Sequence, residues 1–260
     1  MNILDFSIND LHAFILMFFR VAGLMMFAPL FGSQSIPPTV KIMFSLIMVF
    51  ILYPIIKPTV NIPENAGYYI FAVVSEFAVG FIIGFSASLL FSALQFGGQI
   101  IDQEIGLGLA NIIDPISNQQ VSIIGQFKLL LGMIIYLSIN GHFFVIDSMV
   151  NSFKTIPLLG LSLSNDVGLK VTDVMVGNMF VIAVKVAAPA LVTLLLITIA
   201  MAFMARTVPE MNIFILGFSL RIIVGFLVLA FGIPAFAYVF DKLNLQSVNS
   251  VNDLMVLMKG

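Results

Sequence analysis

YYIFAVVSEFAVGFIIGFSASLLFSA, residues 68–93, points most directly to the fold class. It is apolar over more than the roughly 20 residues that a helix needs to cross a bilayer. Its one charged residue is Glu76. Gly80 and Gly84 stand four apart, a spacing that lets two helices approach closely, and Ser86 and Ser88 follow on the same segment. Five further stretches have the same character: Leu11–Phe31, Val40–Ile56, Val121–Ile146, Val174–Met204 and Asn212–Phe240. Together they predict an all-α, integral membrane-type chain of helical hairpins. Composition agrees. Of 260 residues, 60% are hydrophobic and 9% charged, against about 25% charged in a soluble domain. That leaves too little polar surface to cover a water-exposed sphere, and no stretch has the composition of a soluble domain.

The connections carry turn chemistry. Gly32 to Pro38 separates the first two segments, and Pro54, Lys57, Pro58 and Pro63 separate the second from the third. Proline removes an amide donor and biases its predecessor away from helix, so these positions predict helix ends. Gln95 to Gln120 is different. It contains Gly97, Gly98, Gly106, Gly108, Pro115, three acids and several amides, with no Lys or Arg. It reads as a polar, glycine-rich hairpin or broken helix. Asn151–Asp173 reads as a second polar connection. The residues after Asp241 read as a short polar tail, in which Leu254–Leu257 is too short to span. With six spans, Lys57, Lys154, Lys170, Lys242 and Lys259 collect on one side, against Lys41 and Arg206 on the other. The positive-inside rule then places both termini in the cytoplasm.

Arg20, Glu76, Lys128, Lys185 and Arg221 lie within the apolar segments. Each would cost about 2.5–3.5 kcal/mol at a bilayer centre. Two readings follow. Glu76 pairs with a Lys or Arg of a neighbouring segment for structure alone, or much of the chain is buried against other protein or around an aqueous path. Pro189 and Pro234 point to the second reading, because each leaves a backbone carbonyl that lipid cannot satisfy.

The sequence offers little chemistry. A net charge of -2 gives no basic footprint for nucleic acid. Cysteine is absent and there are two histidines, so neither a thiolate nucleophile nor a Cys- or His-rich metal site is expected. No phosphate-binding glycine loop and no H-E-x-x-H motif is present. Asp102, Glu104 and Asp114 have no matching nucleophile or base nearby. The expectation is a protein without catalytic residues, cofactor or metal.

Four groups of residues, taken in order, resemble the FliR family of flagellar type III secretion export gates. The first is Arg20, Gly23, Pro29, Phe31 and Gly32, followed by Pro37, Pro38 and Lys41. The second is Gly97-Gly98-Gln99-Ile100-Ile101-Asp102-Gln103, continuing through Gly106, Ala110 and Asp114-Pro115. The third is Asn140-Gly141-His142, with Ser152-Phe153 and Pro157 downstream. The fourth is Pro189 and then Ala205-Arg206-Thr207-Val208-Pro209-Glu210-Met211-Asn212. The resemblance covers roughly residues 10–240. Many relatives carry Gln where Glu210 stands and a second His where Phe143 stands.

The resemblance implies a single FliR-type domain over 1–260, with FliP-like helices over about 1–172 and a FliQ-like helix pair over about 173–245. It implies a subunit that forms the export gate with FliP and FliQ homologues, with FlhB associated, in the bacterial inner membrane at the flagellar basal body. Unfolded flagellar proteins pass through the centre. Within that frame the polar run Gly106, Leu107, Gly108, Leu109, Ala110, Asn111, Ile112, Ile113, Asp114, Pro115, Ile116, Ser117 and Asn118 is expected to plug the closed channel, a surface loop being the alternative. Arg20, Glu76, Asp102, Lys128, Lys185, Arg206, Glu210 and Arg221 are expected to be buried or to hold the assembly together. Arg206 and Glu210 are expected to stabilise the start of the last hairpin, or else to meet separate partners on other subunits. A reading from another class is a secondary transporter or ion channel acting alone, with its broken helices at a midplane site. A membrane-embedded assembly factor without a pore is a third.

Overall fold

Helix follows wherever apolar residues run uninterrupted. The computed structural model describes residues 8–56, 66–107, 122–161, 165–207 and 213–259, and among them no strand occurs. The elements are α1 (Ile8–Phe27), α2 (Pro38–Ile56), α3 (Ala66–Ile105), α4 (Ile123–Ser138), α5 (Gly141–Thr155), the short α6 (Asn165–Leu169) leading through a π-helical stretch (Lys170–Val176), α7 (Gly177–Thr207) and α8 (Ile213–Met258). Five helical stretches of the described residues are long and apolar enough to cross a membrane, or six if α4 and α5 count as one broken span. The chain is thus an all-α membrane protein. With 40 and 46 residues, α3 and α8 are about 60 and 69 Å long, twice a hydrocarbon core of about 30 Å.

The segment boundaries differ from the sequence expectation in four places, the smallest being Pro54, which lies inside α2 two residues before its end and not at the end itself. The helix beginning at Ala66 does not break at Gln95 but continues to Ile105. Gly97 and Gly98 lie inside it because they are contact points, not turns. A Cβ on Gly97 would stand 2.7 Å from the carbonyl oxygen of Ala183, and one on Gly98 would meet the backbone of Gly125. The expected span Val121–Ile146 is broken at Ile139–Asn140, where Asn140 takes a left-handed conformation (φ 57). Asn tolerates that conformation better than other residues with a Cβ. The tail after Asp241 is helical to Met258. Its Val251, Leu254, Met255 and Met258 are buried at helical spacing.

The chain divides into two compact units, and both long helices contribute to each. Unit 1 comprises Met1–Leu89, Asn140–Val176 and Asn244–Gly260. In it α1 lies backbone to backbone on α3. A Cβ on Gly80 would collide with the carbonyl of Arg20, one on Gly84 would stand 2.6 Å from the carbonyl of Leu24, and one on Gly23 would stand 2.5 Å from that of Phe77. The four-residue glycine spacing therefore marks a real close approach. Leu16, Met17, Val21, Leu24 and Met25 fill the α1 core face. α2 is held to α1 by Tyr53, whose hydroxyl donates to Asp10 at 2.6 Å. Most of α2 is left uncovered, with Phe50 76% exposed.

Unit 2 comprises Leu90–Ile139 and Gly177–Leu243. One core joins Leu90, Phe91, Leu94, Tyr136, Val186, Phe236, Phe240 and Leu243, with Phe91 edge-on to Tyr136 at 5.2 Å. A second joins Ile101, Ile105, Ile124, Ala187, Ala190 and Leu194. Pro189 and Pro234 are accommodated within continuous helices. The outward faces remain apolar: Leu195, Leu196, Phe203, Ile223 and Phe231 are all more than half exposed.

Candidate functional site

Three polar constructions stand out in an otherwise apolar molecule. The first ties unit 1 together. Arg20 and Glu76 are 1% and 0% exposed, and the Nε of Arg20 donates to Oε2 of Glu76 at 2.5 Å. The guanidinium also donates to the carbonyls of Ser152 (3.0 Å), Ile156 (2.7 Å) and Pro157 (3.4 Å), and lies over the ring of Phe153. The other oxygen of Glu76 accepts from the amide of Leu159 at 2.8 Å. Leu159 is held at φ 67, where a side chain is rarely found. The planar fork of arginine suits this task, since it places several donors at once. Removing either partner would strand a buried charge, which costs far more than the pair gains.

The second construction belongs to unit 2 and frames the polar run. At the end of α3 the carbonyl of Asp102 accepts from the amides of Gly106 and Leu107, both at 3.1 Å, with Gly106 at φ 95. This is a Schellman-type helix stop, for which glycine is the usual residue. The carboxylate of Asp102 accepts from the hydroxyl of Ser122 and from the amide of Ile124 at 3.2 Å. Ser122 in turn caps α4 by accepting from the amide of Gly125 at 2.8 Å. One acid, 5% exposed, thus fastens Leu107 and Ser122, the two described ends of the polar connection. Gly98 packed on the backbone of Gly125 brings α3 and α4 close enough for this.

The third construction is a cavity of about 150 Å³ in unit 2, lined by α4, α7, α8 and Ile101 of α3, with Lys128 and Lys185 among its walls. Lys128 is 7% exposed, and its ammonium sits 4.5 Å from the centroid of Phe236. Further along unit 2, Arg221 donates to the hydroxyl of Thr198 at 3.2 Å, while its Nε is buried without a partner.

Of the residues expected to be buried charges, Arg20, Glu76, Asp102 and Lys128 are buried. Lys185 and Arg206 are exposed on this chain and Arg221 is half-buried, so burial within the chain does not hold for these three. They lie on helices whose faces the chain leaves uncovered. Gly106 and Leu107 form the helix stop described above. The rest of the expected plug, 108–118, and Glu210 lie outside the described residues. Sequence reading missed Ser122 and the amide of Ile124 as partners of Asp102. A serine immediately before an apolar helix was the available signal. It also missed the carbonyls of Ser152, Ile156 and Pro157, since backbone acceptors leave no trace in residue type. No group of three metal-binding side chains occurs among the described residues.

A family model described as bacterial export proteins, family 1, matches residues 11–247. The chain is similar to the flagellar biosynthetic protein FliR of Bacillus subtilis (strain 168), at 30% identity over 97% of this chain and 98% of that protein. It is 27% identical to the protein of the same name from Escherichia coli (strain K12), over 91% of this chain and 90% of that one. It is 29% identical to that of Aquifex aeolicus (strain VF5), over 85% and 84% respectively.

Proposed function

This chain belongs to the bacterial export proteins of family 1, the family of flagellar biosynthetic protein FliR, and from that premise we propose that it is a non-enzymatic core subunit of the flagellar type III protein export gate. It is an integral membrane protein of the flagellar export apparatus. In this reading it forms, with FliP and FliQ homologues and with FlhB associated, the channel that secretes unfolded flagellar subunits through the bacterial inner membrane at the basal body. Residues of about 1–172 take the FliP-like role and about 173–245 the FliQ-like role.

The observation that carries the reading is the match to FliR proteins along nearly the whole chain. Two physical features support it. Helices of about 60 and 69 Å are too long for simple spans. Their uncovered apolar faces are also the kind of surface that sister subunits would bury. Gly106–Asn118 is the plug in this reading, and Asp102 holds its base. Arg20, Glu76, Lys128, Lys185, Arg206, Glu210 and Arg221 serve packing and assembly.

The test is genetic and direct. Deleting the gene in a flagellated host should abolish secretion of rod, hook and filament subunits. Shortening the 106–118 run should let small solutes leak across the membrane of cells that still assemble the complex. Intact secretion in the deletion strain would overturn the assignment, and unchanged permeability would overturn the plug.

A further inference from the structure

Lys128 and Lys185 line one cavity, yet among the described residues neither makes an ion pair or a hydrogen bond. The rest of the wall is apolar, including Phe127, Pro189, Phe236 and Val239. An ammonium carries three donors. The face of Phe236 offers Lys128 electrostatic attraction but no acceptor. The described acids of unit 2 do not supply the missing charge. Asp102 is engaged by Ser122 and Ile124, and neither Glu104 nor Asp241 makes an ion pair.

We propose that this cavity receives the carboxylate of an aspartate or glutamate on an apolar helix of a neighbouring chain in the same apparatus. The proposal rests on the reading of this chain as a gate subunit. Charge complementarity selects an anion. Size selects a side chain: about 150 Å³ is the volume of a cavity that holds one benzene, enough for a carboxyl and its methylenes and too little for a two-chain lipid. Position selects a partner from outside, because Lys185 at the mouth is exposed and the rim residues Phe127 and Val239 are 43% and 41% exposed. An apolar helix laid on that rim would exclude water from the ion pair, and the pair would fix which helix docks and in what register.

The test uses the complex as extracted in mild detergent through a tag on this chain. A carbodiimide joins an amine to a carboxylate in contact, as an amide, taking up the water released. Mass spectrometry should then find Lys128 or Lys185 linked to an Asp or Glu of another chain. Lys185→Glu should reduce recovery of that chain about tenfold, Lys185→Gln should remove the link at 185 with a smaller loss, and Lys185→Arg should retain the partner. A complex that keeps its full complement in the Lys185→Glu variant, with no link at either lysine, overturns the proposal. So does native mass spectrometry showing an anionic phospholipid that Lys128→Met and Lys185→Gln release. Wild-type chain recovered with no other subunit would instead defeat the gate reading, and this proposal with it.

Discussion

In unit 1 the buried Arg20 meets Glu76 at 2.5 Å and three backbone carbonyls, whereas in unit 2 the buried Lys128 meets the ring of Phe236 and no acid among the described residues. Both ion pairs of the described residues, Arg20–Glu76 and Lys170–Asp253, belong to unit 1. Unit 2 places Lys128, Lys185 and Arg221 on apolar helices with no such pair. The difference separates two uses of charge in an apolar environment. A charge satisfied inside the chain fixes that chain's own fold. A charge left without its counter-ion is a feature of the fold that something else completes.

Four substitutions put that difference to the test. The largest effect is expected at Arg20→Ala, which strands Glu76 and should cost about 3–5 kcal/mol. Thermal unfolding of the detergent-solubilised protein would read this as a large loss of stability, and a change no bigger than that of a surface substitution would show that the tie is dispensable. Asp102→Ala comes next. It removes the acceptor shared by Ser122 and Ile124 and should cost about 1.5–3 kcal/mol, with solute leakage in cells as its second readout. Gly80→Val drives a side chain into the carbonyl of Arg20 and should cost about 1–3 kcal/mol through separation of α1 from α3. Disulfide trapping between cysteines placed on those two helices would report the separation. The smallest effect, and one of the opposite sign, is expected at Lys128→Met. Replacing a buried charge that lacks a counter-ion by an apolar chain of similar length should leave the isolated protein within about 1 kcal/mol or stabilise it. A loss as large as that of Arg20→Ala would erase the distinction between the two units.

Much of the fold was legible in the apolar runs, because a membrane-type helix announces itself through composition over its whole length. The boundaries were less so. Gly97 and Gly98 look like punctuation in one dimension, and only the approach of Ala183 and Gly125 turns them into packing positions. Asn140-Gly141 carried a turn signal, but apolar residues on both sides outweighed it. The helical spacing of Val251, Leu254, Met255 and Met258 was present in the sequence, yet it was too polar overall to read as a span. At the site, Arg20 and Lys128 stood out as cations within apolar runs, and both are buried in the fold. Which of them would find a counter-ion within the chain was not legible, since that depends on Glu76 lying 56 residues away while no acid of the described residues pairs with Lys128. The exposure of Lys185 and Arg206 was equally hidden, because residue type does not say which helix face a single chain leaves uncovered.

In a gate subunit the uncovered apolar faces would be covered by the other members of an assembly. The direct measurement is the mass and composition of the particle extracted from native membranes in mild detergent through a tag on this chain. The expected result is a particle several times heavier than the 28.4 kDa of one chain, containing FliP and FliQ homologues. A monodisperse particle holding this chain alone would contradict it.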